Sequence, residues 1–385
     1  MPDQIPRLSH FVLRHSIQLV TRFSPISMPS DPKNSDVLPQ EGEVLKSRRA
    51  TYEVLKLLGK GGFGAVYEIR VKDKPDLHYA AKFETYDVKK PVLSMDCRVL
   101  RGAYQIQSPH FCTILDRGKA LERFRYIVMK LVGRNLWDLR MDQPTSRFTM
   151  STSLKAAEQC LIAIEDLHRI GYLHRDIKPG NFAIGRPETS EQQVVFMLDF
   201  GLCRKFVGET AEKDLRKPRE VAPFRGTTRY APLAALKQQE QSRKDDIEAW
   251  LYMVVEWTAG QLPWKKLKGP DKQEVCKWKE AVRTDQLNDF LVLCPKREFK
   301  RIMDYVDSLK YLSIPDYDFV YYCIQKACEV HNINPDEPLD WDPLNKYTGP
   351  TKADRDKRIR LVADDNDQVD DDTVKEKAKS DKKLK

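Results

Sequence analysis

Residues 174–182 read HRDIKPGNF, which places a carboxylate (Asp176), an ammonium (Lys178) and a carboxamide (Asn181) within one short stretch. It follows STSLKAAEQCLIAIEDLH (151–168), where Leu154, Ala157, Leu161, Ile164 and His168 share one helical stripe behind serine and threonine caps. It precedes VVFMLDFG (194–201), an apolar strand that ends in Asp199, Phe200 and Gly201. A polar loop between a long helix and a buried strand is a natural place for chemistry, because rigid elements fix both of its ends.

Further upstream, YEVLKLLGKGGFGAVYEIRVK (52–72) alternates on both sides of a glycine cluster, with Tyr67, Ile69 and Val71 on one face and Glu68, Arg70 and Lys72 on the other. Gly59, Gly61 and Gly64 form G-x-G-x-x-G, a pattern shared by dinucleotide folds and by plain hairpins. In dinucleotide folds the glycines open a helix. Here AVYEIRVK returns as a strand, so the loop is a hairpin lid able to lay backbone N–H groups over phosphates. HYAAKFE (78–84) and YIVMKLV (126–132) read as further strands, and PVLSMDCRVL (91–100) has helical spacing at Val92, Met95 and Val99. Lys82 sits mid-strand, where a buried ammonium wants an anion. DDIEAWLYMVVEWTAG (245–260) is apolar on nearly every face, as a central buried helix would be. The expected fold class is therefore α+β and bilobal, a small β-rich N-terminal lobe followed by a larger helical one.

Phosphoryl transfer needs a cradle, a cation for the nucleotide phosphates, metal ligands and a base to orient the hydroxyl. Each has a candidate in order along the chain. The glycines form the cradle and Lys82 supplies the cation. Asp176 can accept the hydroxyl's hydrogen bond, and Lys178 can neutralise the moving group. Asn181 and Asp199 offer hard oxygens for Mg²⁺.

At these residues the chain resembles a protein kinase over roughly 50–342. GRNL (133–136), HRDIKPGNFAIGR, LDFGLCRKF, FRGTTRYAP (224–232) and GQLPWKKLK (260–268) are similar to the casein kinase 1 superfamily, and within it to tau-tubulin kinases. The resemblance implies the protein kinase fold, ATP and Mg²⁺ as cofactors, and serine/threonine specificity, consistent with Lys178 and with Thr227 in the substrate-facing segment. It also implies that Val66 contacts the nucleotide and that Met129 guards the back of the adenine pocket. Lys130 and Val132 would offer hinge backbone groups, and Asp138 would lie near the ribose. Arg229 of the RY pair would help bind an anion, favouring acidic or already phosphorylated protein sites, with tubulin and microtubule-associated proteins among the implied partners. One position departs from the family pattern. Asp96 stands where kinases carry the glutamate that pairs with the strand lysine, and its side chain is shorter by one methylene, about 1.5 Å. Replacement by glutamate is accordingly expected to raise turnover or tighten ATP binding. A nucleotide-binding scaffold without turnover is the alternative that Asp96 supports. A microtubule- or acidic-surface-binding protein with a vestigial kinase fold is a third, resting on positive charge.

The 385 residues and 41% apolar content leave ample material for a core, and no apolar run approaches the roughly 18 residues of a membrane helix. Net charge is +9, which allows acidic partners, but no basic-aromatic platform for nucleic acid is legible. Eight cysteines without a CxxC pair fit free thiols in a reducing, cytoplasmic or nuclear setting; Cys203 reads as packing, and Cys323, Cys328 and His331 are too far apart on a helix to suggest a metal site. Residues 1–48, rich in proline and serine, are expected to be a flexible arm; the polar breaks in FVLRHSIQLV exclude a signal core, while Arg7, Arg14 and Arg22 mimic a presequence. The kinase-like domain is expected over 49–342, with lobes at about 49–130 and 134–342, and the charged stretch 343–385, including DDNDQVDDD, as a disordered tail. A monomer is expected.

Overall fold

The computed structural model describes residues 38–361 except 62–63, 89–90, 121–122, 209–215 and 268–270, together with the backbone of 24–25. The chain forms two compact units, Met1–Leu93 with Ile114–Lys130, and Ser94–Thr113 with Leu131–Lys385. The first is sheet and the second mainly helix, which is the α+β architecture expected.

In the first unit the described residues form a seven-stranded sheet: β1 (Ser24–Pro25), β2 (Val44–Lys46), β3 (Thr51–Gly61), β4 (Gly64–Val71), β5 (Lys74–Thr85), β6 (Ile114–Ala120) and β7 (Phe124–Lys130), in the order β1-β6-β7-β5-β4-β3-β2. All neighbours are antiparallel except β1 and β6. The period-2 alternation decides what is buried. Tyr52, Val54, Ala65, Tyr67, Ile69, Ala81, Phe83, Phe124, Tyr126 and Val128 form one core face. Phe83 lies at its centre and meets Tyr67 and Phe124 edge-on at 5.6 and 5.1 Å. The expected start at residue 49 falls inside this sheet. Buried Leu45 on β2 pairs with Tyr52, and Asp116 gathers the Ser47 hydroxyl at 2.6 Å and the Tyr52 hydroxyl at 3.0 Å. Of the expected N-terminal arm, Ser24–Pro25 and the residues from 38 onward belong to the described chain, and 1–23 and 26–37 lie outside the described residues.

Glu84 at the end of β5 accepts the Val92 and Leu93 amides at 2.5 and 2.9 Å, which starts helix α1 (Leu93–Gln105). In the second unit, α2 (Leu136–Met141) and α3 (Met150–Arg169) follow, with Thr149 accepting the Thr152 amide as the α3 cap. Two small antiparallel pairs come next: β9 (Phe182–Ile184) with β10 (Val195–Met197), and β8 (Tyr172–Leu173) with β11 (Arg204–Lys205). After the short α4 (Leu233–Leu236), α5 (Arg243–Ala259) is buried on nearly all sides; a Ser242–Asp245 capping box opens it and Gly260 closes it at φ +82°. Trp250 on α5 donates its indole N–H to Ala157 O on α3 at 3.0 Å. α6 (Lys272–Ala281), α7 (Leu287–Phe290), α8 (Lys296–Ser308) and α9 (Tyr317–Val330) complete the unit.

The ordered chain does not stop at 342. Residues 352–361 form a helix, α10, whose Arg355 pairs with Glu165 and whose Arg358 reaches Asp166 at 2.7 Å, both carboxylates on α3. The Lys352 amide donates to Glu158 at 2.6 Å. The segment is highly charged, yet Lys352, Arg355 and Arg358 each meet a carboxylate, so low hydrophobicity did not imply disorder here. Residues 362–385, with the acidic block, lie outside the described residues.

Candidate active site

In the first unit, register sets the nucleotide-side candidates. Gly59 pairs with Val66, Val66 with Lys82, and Lys82 with Ile127, so these residues share one row across β3, β4, β5 and β7. Ala81 and Phe83 are fully buried in the core, and Lys82 between them points to the opposite face. The three glycines are not equivalent. A Cβ on Gly64, where φ is +144°, would lie 1.9 Å from the Phe83 carbonyl oxygen, whereas Gly59 and Gly61 have nothing within 4 Å. Met129 pairs with Ala80, and Lys130 ends β7 opposite Tyr79.

In the second unit the loop after β8 carries the polar candidates, and a buried carboxylate from α5 holds it. Asp246 accepts the His174 amide at 2.8 Å, the Arg175 amide at 2.9 Å and the His168 ring at 2.9 Å. Burial alone would raise the Asp246 pKa, but His168 and these donors hold it below the usual carboxylate range. The His174 ring takes the Asp176 amide on Nδ1 at 3.3 Å and donates from Nε2 to Leu198 O at 3.1 Å. Leu198 in turn donates its amide to Asn181 O at 2.8 Å, which puts Asp199 beside the loop.

Asp176, Lys178, Asn181 and Thr227 are brought together. Lys178 Nζ donates to Asp176 Oδ2 at 2.6 Å and to Thr227 Oγ1 at 3.1 Å. The Thr227 amide donates to Asp176 Oδ1 at 2.8 Å. Asn181 Nδ2 donates to Asp176 O at 2.8 Å, which leaves its oxygen for other partners. Gly226, at φ +94°, permits this closure, since a Cβ there would meet Arg175 O at 2.9 Å and Asp176 Oδ1 at 3.1 Å. Asp199 has a left-handed backbone (φ +58°) and accepts the Gly201 amide at 3.4 Å. Phe200 stacks on Phe111 at 5.7 Å and meets His174 at 6.0 Å. Its amide donates to Asp96 Oδ1 on α1 at 3.3 Å.

Other candidates sit elsewhere. Asp138, exposed in the first turn of α2, accepts the Asn135 side-chain amide at 2.7 Å. Val132 is half-buried just before Gly133, whose amide donates to Ile184 O at 2.7 Å. Arg229 is occupied within the fold: it pairs at 2.9 Å with Glu256, a fully buried carboxylate on α5 that also takes the Tyr230 hydroxyl at 2.5 Å. Its guanidinium also lies over Trp137 at 5.4 Å. That arrangement makes it a neutraliser of Glu256 first; Lys217, Arg225, Lys265 and Lys266 are among the exposed cations of the surrounding segments. Cys203 is buried and its thiol pKa is pushed up by burial, in keeping with packing.

Asp246, Gly226 and Glu256 escaped the sequence reading. An acidic pair opening an otherwise apolar helix, and a glycine just before Thr227, were the available signals. Chemically, the constellation can orient an alcohol on Asp176 and neutralise an anion with Lys178. Among the described residues no group of three His, Cys, Asp or Glu side chains could hold a metal by itself. Two hard-oxygen donors, Asn181 and Asp199, suit an ion that takes its remaining ligands from phosphate and water, as Mg²⁺ does.

The protein kinase domain model matches residues 52–326 of the chain. The chain is 33% identical over 301 residues to a probable serine/threonine-protein kinase of Dictyostelium discoideum, a match covering 78% of this chain and 58% of that protein. It is 32% identical over 317 residues to serine/threonine-protein kinase spe-6 of Caenorhabditis elegans, covering 81% of each. It is 31% identical over 302 residues to casein kinase I homolog 1 of Schizosaccharomyces pombe, covering 77% of this chain and 66% of that one.

Proposed function

This chain belongs to the protein kinase family, its named relatives being serine/threonine kinases, and from that premise we propose that it transfers the γ-phosphoryl group of ATP to serine and threonine hydroxyls of proteins. The Asp176–Lys178–Thr227 constellation carries the reading. Asp176 accepts the hydrogen of the incoming hydroxyl and Lys178 neutralises charge beside it, while the new O–P bond forms and the bond to the β-phosphate breaks. The family uses ATP with a divalent metal; Mg²⁺ is the ion proposed, held by Asn181 and Asp199, where it would neutralise phosphate charge. In the first unit, Val66, Lys82 and the backbone of Gly59, Gly61 and Gly64 are assigned to the nucleotide.

The proposed site preference is acidic or phosphorylated, as in the casein kinase 1 group, with tubulin and microtubule-associated proteins as candidate substrates. Exposed Arg225, Lys265 and Lys266 support it. The scaffold alternative rests on Asp96 alone, and one assay separates the two. Labelled ATP is supplied with casein or tubulin to the wild type and to Asp199→Asn. Asparagine is chosen because it tolerates the φ of +58° better than alanine. Phosphoserine or phosphothreonine from the wild type only is the expected result, whereas equal labelling by both overturns the proposal. A charge-assisted contact to phosphate is worth roughly 1.5–3 kcal/mol, so Arg225→Ala should cost about 10- to 100-fold in kcat/KM on a primed peptide and little on its unprimed partner.

A further inference from the structure

Lys279 on α6 reads in sequence as one more lysine of a charged helix, yet it is fully buried. A buried ammonium persists only with good compensation. Its Nζ donates to Ala231 O at 2.5 Å and to Thr228 O at 3.3 Å. Tyr252 on α5 and Trp264 on the loop before α6 place their rings 4.4 and 5.0 Å from the same nitrogen. Trp264 also donates its indole N–H to Arg229 O at 2.8 Å. Three carbonyls of the Thr228–Ala231 segment are thus held from behind by Lys279 and Trp264. The residue just before that segment is Thr227, which touches Asp176 and Lys178 from the front.

The other charged or titratable groups acting on Lys279 are Glu248 of α5 and Cys276 and Arg283 of its own helical segment. Burial is the main cause of its pKa falling to about 7. Either protonation state keeps at least two N–H groups, one for each carbonyl.

We propose that Lys279, with Trp264, is a positioning residue for the protein substrate: it fixes the backbone of 228–231 so that Thr227 stays bonded to Asp176 and Lys178. The role rests on the kinase reading above and adds to it a device for binding the acceptor protein. Holding the loop affects the acceptor and leaves the nucleotide alone, so its loss separates the two KM values.

The test uses the full chain and two variants. Lys279→Met keeps length and apolar stem but removes the donors; Trp264→Phe keeps a ring and removes one. Amide hydrogen exchange over 226–232 is measured alongside KM for casein and KM for ATP. Expected for Lys279→Met is faster exchange in 226–232 with helix 243–259 unchanged, a KM for casein raised about 10-fold, and a KM for ATP within about 2-fold of wild type. Trp264→Phe should shift the same quantities less. Unchanged exchange in both variants, or equal rises in both KM values, overturns the role. Should Lys279→Met unfold, Trp264→Phe decides. Should the wild type phosphorylate nothing, the kinase reading fails while exchange still decides whether Lys279 and Trp264 hold the loop.

Discussion

The Asp96 carboxylate accepts the backbone amide of Phe200 at 3.3 Å, so the acidic residue of α1 is tied to the turn that carries Asp199. Asp96 is buried, and lengthening it pushes a methylene into a filled site at a cost of about 1–3 kcal/mol. Asp96→Glu should therefore lower the Tm and reduce kcat/KM for ATP, the reverse of what chain length alone suggests. Thermal melts and steady-state kinetics check this; a gain in turnover would mean the aspartate is a handicap after all.

Gly64 and Gly61 pair across the same hairpin but should respond differently to alanine. Gly64→Ala collides with the Phe83 carbonyl, so β4 and β5 must part, with a stability loss of several kcal/mol by the measure of overpacked sites. Gly61→Ala meets open space and should leave the Tm within about 1 °C, its effect confined to nucleotide affinity. The comparison is a pair of melts with and without ATP.

Arg355→Met strips a buried carboxylate of its partner. Glu165 keeps the Tyr321 hydroxyl at 2.8 Å but loses the guanidinium. Breaking such a pair costs about 3–5 kcal/mol, and Glu165→Gln in the same molecule should recover most of it. Urea midpoints of the single and double variants decide. A chain cut after residue 342 should be weaker still, because Tyr347 and α10 both bond back to α3.

His110 is fully buried and its Nδ1 lies 2.8 Å from Val195 O. Burial lowers its pKa to about 4, against the upward pull of that carbonyl and of Asp166. The unfolded chain, with an imidazole near 6.5, takes up its proton first as pH falls. Stability from this group is therefore complete above about pH 6.5 and drains away toward pH 4, by up to about 3 kcal/mol. Urea titrations at pH 7, 5 and 4 should show this slope in the wild type and a flatter one in His110→Gln.

What was legible in the sequence is what lies close along the chain. Tyr67 and Ile69 announced their face by alternation, and Asp176, Lys178 and Asn181 share one loop, so contiguity made the constellation readable. Asp246 and Gly226 come 70 and 50 residues after Asp176, and only folding brings them to it. The helix at 352–361 was hidden for another reason. Composition counts charges but cannot see that Glu158, Glu165 and Asp166 wait for them on α3. Lys279 was hidden likewise, since a lysine inside an aromatic box and one in water look alike in a string of letters. Arg229 has a partner that its pattern did not announce, since Glu256, fully buried, stands within reach of it.

Asp246 receives the amides of His174 and Arg175 from a position on a helix buried on nearly all sides. The loop bearing Asp176 consequently has no hinge of its own: to swing out, it must pull on the keel of the second unit. Heat inactivation and loss of α5 structure should then trace a single curve, and any physiological switch must work on what approaches this loop, leaving its own shape alone.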